Sequence, residues 1–379
     1  GGLATILVSV PPVVESWNVG GLGIIFSLLF LIFIIFSCLF INKKLSNYKY
    51  KYHLIFLIII LSIPSLKLIS GPSIKLIESI NPATQGYLGG MGLPIIFSWF
   101  IGGLLSAGVA FVIGKICLGL RSDYLAISTL LISGIVISVI KHEEWLSRGV
   151  KNVIGLKRPA PFEVNLQKSE WFMTLIDKIH FWAPTTKDVI ISSSGIFVKL
   201  CFTIIFSITL LTLLYLSERA VNSPWGRMMR AIRDNETAAK AMGKNIVKQQ
   251  LNIFMIGSAI IGFAGAMLVT YDGLFTPSSY QPLRYTFLIW VMVLLGGSGN
   301  NYGSILGAFV VWFIWIESAP IALFIINFCT FFLEYNNPVK LHLIESVPYF
   351  RYLMMGVGLL LVMRYKPEGL LPEKKISFK

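Results

Sequence analysis

Few side chains in this sequence have the types and spacing that catalysis needs. The four histidines are scattered, and no group of His, Asp and Glu has metal-ligand spacing. The sequence contains no G-x-x-x-x-G-K-[ST] motif, which is the loop that cradles nucleotide phosphates. The four cysteines lie in or beside apolar runs without paired spacing, which indicates neither a disulfide framework nor a zinc site. A membrane-embedded enzyme would require such a constellation, so the sequence argues against a catalytic role.

Charge is concentrated instead in residues 217–245, SERAVNSPWGRMMRAIRDNETAAKAMGKN, which hold six Lys/Arg against three Asp/Glu. Arg227, Arg230 and Arg233 recur every third residue on one side of a predicted helix, and apolar residues mark another side. Ser223 is a good N-cap, and Pro224 suits the first helical position because its missing N–H is not needed there. A second short helix is predicted over residues 236–242.

Gly243 ends this second helix as the residue after its C-cap. The stretch is therefore predicted to be a compact, basic helix–turn–helix between two apolar segments. Two interpretations stay open on composition alone. The stretch either contacts another molecule or is a solvated loop that only orients the protein.

The composition is that of an integral membrane protein. Of 379 residues, 55% are hydrophobic and only 13% are charged, and the mean hydropathy is +0.75. The net charge of +14 does not indicate nucleic acid, because the basic residues form short clusters beside apolar segments, as the positive-inside rule describes. Residues 20–41 are the clearest span, followed by lysines that place its end in the cytosol.

Apolar runs along the chain predict an all-α fold, a polytopic integral membrane protein with about eight transmembrane or re-entrant helices. We expect residues 54–69 to return outward with a break at Pro64, and residues 72–90 to form an external loop. The span over 304–332 is expected to kink or divide at Pro320. The predicted spans are residues 20–41, 54–69, 93–120, 120–135, 189–216, 251–270, 287–307, 304–332 and 351–363.

Small residues mark two packing faces. They fall at about four-residue intervals in the segments 93–120 and 251–270, where they would let helices approach closely. These residues are Gly102, Gly103, Ser106, Ala107, Ala110 and Gly114 in the first segment, and Ser258, Gly262 and Ala266 in the second.

A glycine-rich run interrupts the segment 287–307 after about half a bilayer of apolar residues. Broken helices in transporters often mark a substrate site, so Gly296, Gly297, Gly299 and Asn300 are candidates for a substrate path. The alternative is a simple turn between two spans at the inner surface. Thr129 and Ser133 lie four residues apart on another predicted helix and are further path candidates, although their hydroxyls could equally bond to their own helix.

Three stretches resemble the branched-chain amino-acid permeases of ATP-binding-cassette transporters, of the LivM/LivH type. TAAKAMGKN resembles the loop that docks into the cytosolic ATPase, with Ala238, Ala239 and Gly243 in the motif positions and Thr237 where broader families carry Glu. LRSDYLAISTLLISGI, residues 120–135, resembles the family's L-R-G-x-Y-L-A-I-x-T segment, although Gly134 stands where relatives often carry Glu. LLGGSGNNYGSILG resembles the L-G-G-x-G-S-x-x-G-P-x-x-G motif.

The resemblance implies a non-catalytic permease subunit. Its partners would be a second permease subunit, two cytosolic ATPases that bind ATP and Mg, an extracytoplasmic solute-binding protein and membrane lipid. The resemblance assigns Arg227, Arg230, Arg233, Glu236, Ala238, Ala239 and Gly243 to ATPase coupling. It implies the bacterial cytoplasmic (inner) membrane as the location and no cofactor in this chain.

The resemblance covers residues 93–371, which we expect to form the permease core. Within it, residues 141–188 are expected outside the cell and residues 217–250 form the cytosolic coupling loop. Residues 1–92 are a divergent part with an inserted hairpin, and residues 372–379 are a cytosolic tail. Residues 1–14 resemble the end of a helix found in the family. The alternative is that they form an interfacial or disordered segment.

Amino acids of the leucine type are the expected solute. The alternatives are urea or short amides within the same family. An ion-coupled secondary transporter is the alternative of a different class.

Overall fold

The computed structural model describes residues 1–44, 51–80, 87–120, 122–147, 149, 151–179, 186–277, 281–332 and 337–373. Within these residues, eight helices are long and apolar enough to cross a membrane. The prediction of an all-α, polytopic membrane fold is confirmed. The apolar windows of these helices lie in Val14–Cys38, Ile60–Ser79, Ile95–Cys117, Asp123–His142, Lys187–Asn222, Ile246–Asp272, Asn301–Cys329 and Val347–Tyr365.

The helices in chain order include several short ones between the spans. The first group is α1 (Gly2–Ser9), α2 (Val14–Ser16) followed by a π-helical turn (Trp17–Gly21), α3 (Leu22–Lys44), α4 (Lys51–Ser79), α5 (Ile95–Cys117), α6 (Ser122–His142), α7 (Glu144–Ser147), α8 (Glu163–Gln167) and α9 (Glu170–Ile179). The second is α10 (Lys187–Asn222), α11 (Pro224–Asp234), α12 (Glu236–Ala241), α13 (Ile246–Asp272), α14 (Pro282–Gly296), α15 (Asn301–Cys329), α16 (Pro338–Glu345) and α17 (Val347–Tyr365). Two short strands, β1 (Val153–Ile154) and β2 (Leu274–Phe275), pair antiparallel with Val153 opposite Phe275.

The chain divides into two compact units. Unit 1 comprises Gly1–Ile204 and Thr237–Tyr280, and unit 2 comprises Ile205–Glu236 and Gln281–Lys379. Helix α10 therefore begins in unit 1 and ends in unit 2. The predicted cytosolic stretch is also divided, since α11 belongs to unit 2 and nearly all of α12 to unit 1.

The centre of unit 1 is the close contact between α5 and α13. A Cβ built on Gly103 would lie 3.0 Å from the carbonyl oxygen of Ala259, and one on Gly262 would lie 2.6 Å from that of Gly102. It would also overlap the side chain of Ser106. The two predicted faces of small residues therefore meet each other, and the packing role assigned to them is confirmed.

The first residues of the chain are helical and buried. Ile6 in α1 is fully buried, and its cluster joins α1 to the β1–β2 pair and to Val269 of α13. Gly1 lies against the backbone of Gly262. Of the two alternatives for this segment, the interfacial or disordered start is therefore wrong for α1, because its apolar residues have a buried site to fill.

Helix α4 contradicts two expectations. It runs without a break through Pro64 and Pro72, so residues 54–69 are not interrupted at Pro64 and residues 72–79 are not a loop. Proline is tolerated in membrane helices because neighbouring groups can satisfy the backbone carbonyls that it leaves free. Residues 81–86 of the predicted loop lie outside the described residues.

The predicted external loop, residues 141–188, has more structure than its polarity suggested. It contains α7, β1, α8 and α9, and Leu156 belongs to the buried cluster of α1. Residues 151–159, which include β1, are thus partly anchored in unit 1 rather than lying entirely at its surface.

In unit 2, helices α14, α15 and α17 pack around a common core. Helix α15 is continuous through Pro320, so the expected division there is wrong, and a kink at this proline stays a prediction. Arg284 at the start of α14 and Arg351 at the start of α17 both stack on Trp315, at 5.0 and 5.5 Å from the ring. The core is formed by Leu288, Val291, Leu295, Val311, Trp315 and Met355.

Candidate functional site

The junction of α10 and α11 is a tight turn built by three consecutive local features. Ser223 caps α11, because its Oγ accepts from the Gly226 amide at 3.2 Å, and it also donates to the carbonyl of Ala220 at 2.6 Å. Pro224 is the first helical residue. A Cβ at Gly226 would overlap the carbonyl oxygens of Ala220 and Val221. The predicted cap is confirmed, whereas the need for glycine at position 226 was missed because it depends on how closely α10 returns.

Two of the predicted arginines hold the end of α10. Arg227 donates from Nη1 to the carbonyl of Asn222 at 3.3 Å, and Arg230 donates from Nη2 to the carbonyl of Val221 at 3.3 Å. The last carbonyls of a helix have no partner within the helix and carry its negative dipole end, so guanidinium groups stabilise them. These arginines fix the angle between α10 and α11.

Arg233 instead binds Glu373, which follows the last membrane helix. Its Nη1 and Nη2 donate to the two carboxylate oxygens of Glu373 at 3.1 and 3.2 Å, and its Nε donates to Asp234 at 3.2 Å. The hydrogen bond to Glu373 raises the pKa of Arg233, so this side chain is firmly in its charged form.

Gly243 terminates helix α12 as predicted. The helix itself ends at Ala241, one residue before the predicted end at residue 242. The Gly243 amide donates to the carbonyl of Lys240 at 3.0 Å, and the Lys244 amide donates to that of Ala239 at 3.3 Å. These two bonds form a Schellman motif, and Gly243 has the left-handed φ of +75° that the motif requires. Ala239 is buried, while Glu236 and Ala238 are exposed.

The glycine-rich run forms a turn between α14 and α15. Gly297 and Gly299 both have positive φ. Asn300 caps α15, because its side-chain oxygen accepts from the amides of Tyr302 and Gly303 at 3.0 and 3.4 Å. The Asn301 amide group donates to Glu218 in the last turns of α10 at 2.8 Å.

This contact bears on the two interpretations of the glycine-rich run. The turn lies beside the end of α10, and α14 extends from it for 15 residues, about 22 Å, to its other end. The structure therefore favours a turn between two membrane segments over a break near the middle of the bilayer. The assignment of Gly296, Gly297, Gly299 and Asn300 to a substrate path stays a prediction that this geometry does not favour.

The C-terminal tail lies on the same turn. The amides of Leu370 and Leu371 donate to the carbonyls of Leu295 and Gly296 at 3.0 and 2.9 Å. A Cβ at Gly297 would overlap the carbonyl oxygen of Leu371. Glycine is thus required at position 297 by the close approach of the tail as well as by its φ of +118°.

A polar crevice of about 160 Å³ separates these elements of unit 2. Carboxylates and a guanidinium face it together, so it is suited to water and to small ions rather than to an apolar side chain. It is lined by Glu218, Val221, Asn222, Arg230, Gly299, Asn300, Asn301, Tyr302 and Glu373.

The hydroxyls of Thr129 and Ser133 bond to their own helix α6. Thr129 donates to the carbonyls of Leu125 and Ala126 at 3.0 Å each, and Ser133 donates to that of Leu130 at 2.7 Å. The alternative of back-bonding describes these contacts. Any role of the two hydroxyls in a substrate path stays a prediction.

Among the described residues, no three His, Cys, Asp or Glu side chains are grouped as they would be to hold a metal ion. The site in unit 2 is therefore one of contacts and helix ends, with the basic helix α11, a glycine turn and a docked tail. Such an arrangement can transmit a displacement between helices.

Comparison with known proteins decides the family. A family model described as "Branched-chain amino acid transport system / permease component" matches residues 83–363. The chain belongs to this permease family. The matched residues include α11, α12, the glycine turn and both small-residue faces, so the permease motifs predicted from the sequence lie on the elements just described.

Three relatives of this permease support the assignment. The chain is 30% identical over 278 residues to a probable branched-chain amino acid transport permease protein LivM of Methanocaldococcus jannaschii, covering 72% of this chain and 68% of that protein. It is 25% identical over 283 residues to each of the high-affinity LivM permease proteins of Salmonella typhimurium and Escherichia coli, covering 74% of this chain and 58% of each relative. No solved structure matches this permease.

Proposed function

We propose that this permease is the transmembrane subunit of an ATP-driven importer for branched-chain or related amino acids. Family membership supports the transport role, and the names of the three relatives support the solute class. The observation that carries the coupling assignment is the basic helix α11, which is fixed to the end of a membrane helix by Ser223, Arg227 and Arg230.

The proposed mechanism needs no catalytic residue in this chain. Two cytosolic ATPases, which bind ATP and Mg, close and push on α11 and α12. Because Arg227 and Arg230 hold the end of α10, a displacement of α11 reaches a helix of 36 residues, about 54 Å long. Tilting of the attached spans then opens the path to the two sides of the membrane in turn.

The proposed assembly contains three further kinds of protein chain. They are a second permease subunit, the pair of ATPases and an extracytoplasmic solute-binding protein, which would contact residues 141–188. The exposed apolar face of α6, with Ile127, Leu131 and Ile135, suits the second permease or lipid. The inner membrane is the proposed location.

The test is uptake by vesicles that contain the purified permease assembly and its ATPases. Leucine, isoleucine and valine are compared with urea and acetamide as solutes. ATP-dependent uptake of the amino acids that survives a protonophore supports the proposal. Uptake of urea or acetamide instead would show that the solutes are short amides rather than amino acids. Uptake that needs an ion gradient but no ATPase would identify a secondary transporter.

Charge reversals test the coupling helix in the same vesicles. The double substitution Arg230→Glu and Arg233→Glu is expected to leave the protein inserted and the ATPases active while uptake is lost. Arg219→Glu is the matched control for Arg230→Glu. It makes the same charge change on α10, where the exposed side chain bonds to the Tyr215 hydroxyl. Normal uptake by the double variant would contradict the assignment of α11.

A further inference from the structure

Helix α11 is attached to the rest of unit 2 in two ways. The first is the covalent junction with α10, described above. The second is the tail after α17, which reaches both the α14–α15 turn and α11 through residues 369–373. This second attachment joins elements that are far apart in the sequence.

Backbone contacts fasten the tail to the turn. The amides of Leu370 and Leu371 donate hydrogen bonds to the carbonyls of Leu295 and Gly296. These carbonyls lie at the end of α14 and lack partners within that helix. A Cβ on Gly369 would overlap the backbone of Gly297, so the two chains touch main chain to main chain at this point. Such a contact is rigid because no flexible side chain lies between the two chains.

Side chains then extend the contact from the turn to α11. Asn300 caps α15 with its oxygen and donates from Nδ2 to the carbonyl of Pro372 at 3.3 Å. The carboxylate of the next residue, Glu373, accepts hydrogen bonds from both terminal nitrogens of Arg233. The two planar groups are therefore paired through two bonds, which fixes orientation as well as distance.

We infer that Glu373 is a positioning residue, and that residues 369–373 clip α11 to the α14–α15 turn. A displacement of α11 then has two paths into the rest of unit 2, one through the end of α10 and one through the clip. Its consequence for transport rests on the proposed function, but the clip itself does not. The side chains of Arg233 and Glu373 are 53% and 33% exposed, so their pairing adds little to overall stability and its loss leaves the fold intact.

Hydrogen exchange on the full-length permease in lipid nanodiscs tests the clip without any transport. Glu373→Gln and Arg233→Gln are each expected to speed exchange of peptides covering residues 225–234 and 369–373 by about two- to fivefold, the range for an exposed ion pair. The double variant should exchange no faster than either single variant, because one interaction cannot be lost twice. Asp234→Asn is the matched control. It removes the other carboxylate bound to Arg233 and should leave residues 369–373 unchanged.

Transport is the second measurement, made as solute imported per ATP hydrolysed by the assembly with its ATPases. Glu373→Gln is expected to lower this ratio while ATP hydrolysis continues, which a merely structural role would not do. If the wild-type assembly fails to import with ATP, the proposed function is lost, while the exchange experiment still decides the clip. Unchanged exchange in both peptides for Glu373→Gln would overturn the clip itself, whatever the transport result.

Discussion

Arg233 and Glu373 are 140 residues apart in the sequence, yet two hydrogen bonds of 3.1 and 3.2 Å join the guanidinium of one to the carboxylate of the other. The contact ties the basic helix α11 to the residues that follow the last membrane helix. It shows that the surroundings of α11 are built from three distant parts of the chain. These parts are the end of α10 with α11, the turn before α15, and the tail.

The pairing of Arg233 and Glu373 should be insensitive to alkaline pH. The pKa of Arg233 is raised above its ordinary value, so the stability that it contributes is fully present below that value and is lost only as pH rises through the higher folded pKa. Exchange of residues 369–373, corrected for intrinsic rates, should therefore be the same at pH 7 and pH 9. A marked loss of protection at pH 9 would mean that another group holds the tail.

Gly243→Ala should weaken the end of α12. A side chain at a left-handed φ of +75° costs roughly 1–2 kcal/mol, although a Cβ there would meet no other atom. We expect fewer imported solute molecules per ATP with little change in the amount of inserted protein. Gly243→Asn is the control, because asparagine tolerates this conformation, and it should retain most of the coupling. Equal losses for Ala and Asn would show that backbone strain is not the cause.

Gly297→Ala should displace the tail. Its Cβ would overlap the Leu371 carbonyl oxygen, and the φ of +118° is unfavourable for alanine. Limited proteolysis should then release the tail faster than in the parent protein. Gly358→Ala in α17 is the matched control. A Cβ at this position meets no atom, so the substitution should be neutral or stabilise by about 0.5–1 kcal/mol. A tail equally protected in both variants would contradict the close approach.

Gly262→Ala should disrupt the contact of α5 with α13. The added methyl would overlap Ser106 and press on the carbonyl of Gly102, and overpacking of this kind costs typically about 1–3 kcal/mol. The expected result is a lower midpoint of thermal aggregation in detergent. Gly257→Ala on the same helix provides the comparison, because open space surrounds its Cβ, and it should not lower that midpoint.

Thr129→Val and Ser133→Ala should leave transport nearly unchanged. Both hydroxyls already donate to carbonyls of their own helix, so we expect neither to bond to the solute. KM for leucine uptake is expected to stay within about twofold of the parent value, because a substitution that removes no contact with the solute does not weaken its binding. A tenfold or larger rise in KM would restore these residues to the substrate path.

Local features of residues 217–245 were accessible from the sequence because neighbouring residues determine them. Ser223 and Pro224 begin α11, and Gly243 ends the next helix, since caps and left-handed residues depend on the backbone within one turn. The membrane spans followed from hydropathy for a similar reason, because a helix satisfies its own backbone groups in lipid. Even the small-residue faces were visible as a pattern, although the sequence did not say which helix each would meet.

Contacts between distant segments were decided only by the tertiary structure. Nothing near Arg233 in the sequence indicates that its partner is Glu373, and nothing near Gly297 indicates that the tail passes against it. The neighbours of the glycine turn were also hidden in the sequence, because Asn301 meets Glu218 on a helix that lies 83 residues earlier in the chain. The sequence alone thus determined most of the apolar helices and the caps around α11, although not that α4 runs on through Pro64 and Pro72. Packing determined which of their ends meet, since that depends on the whole chain being in place.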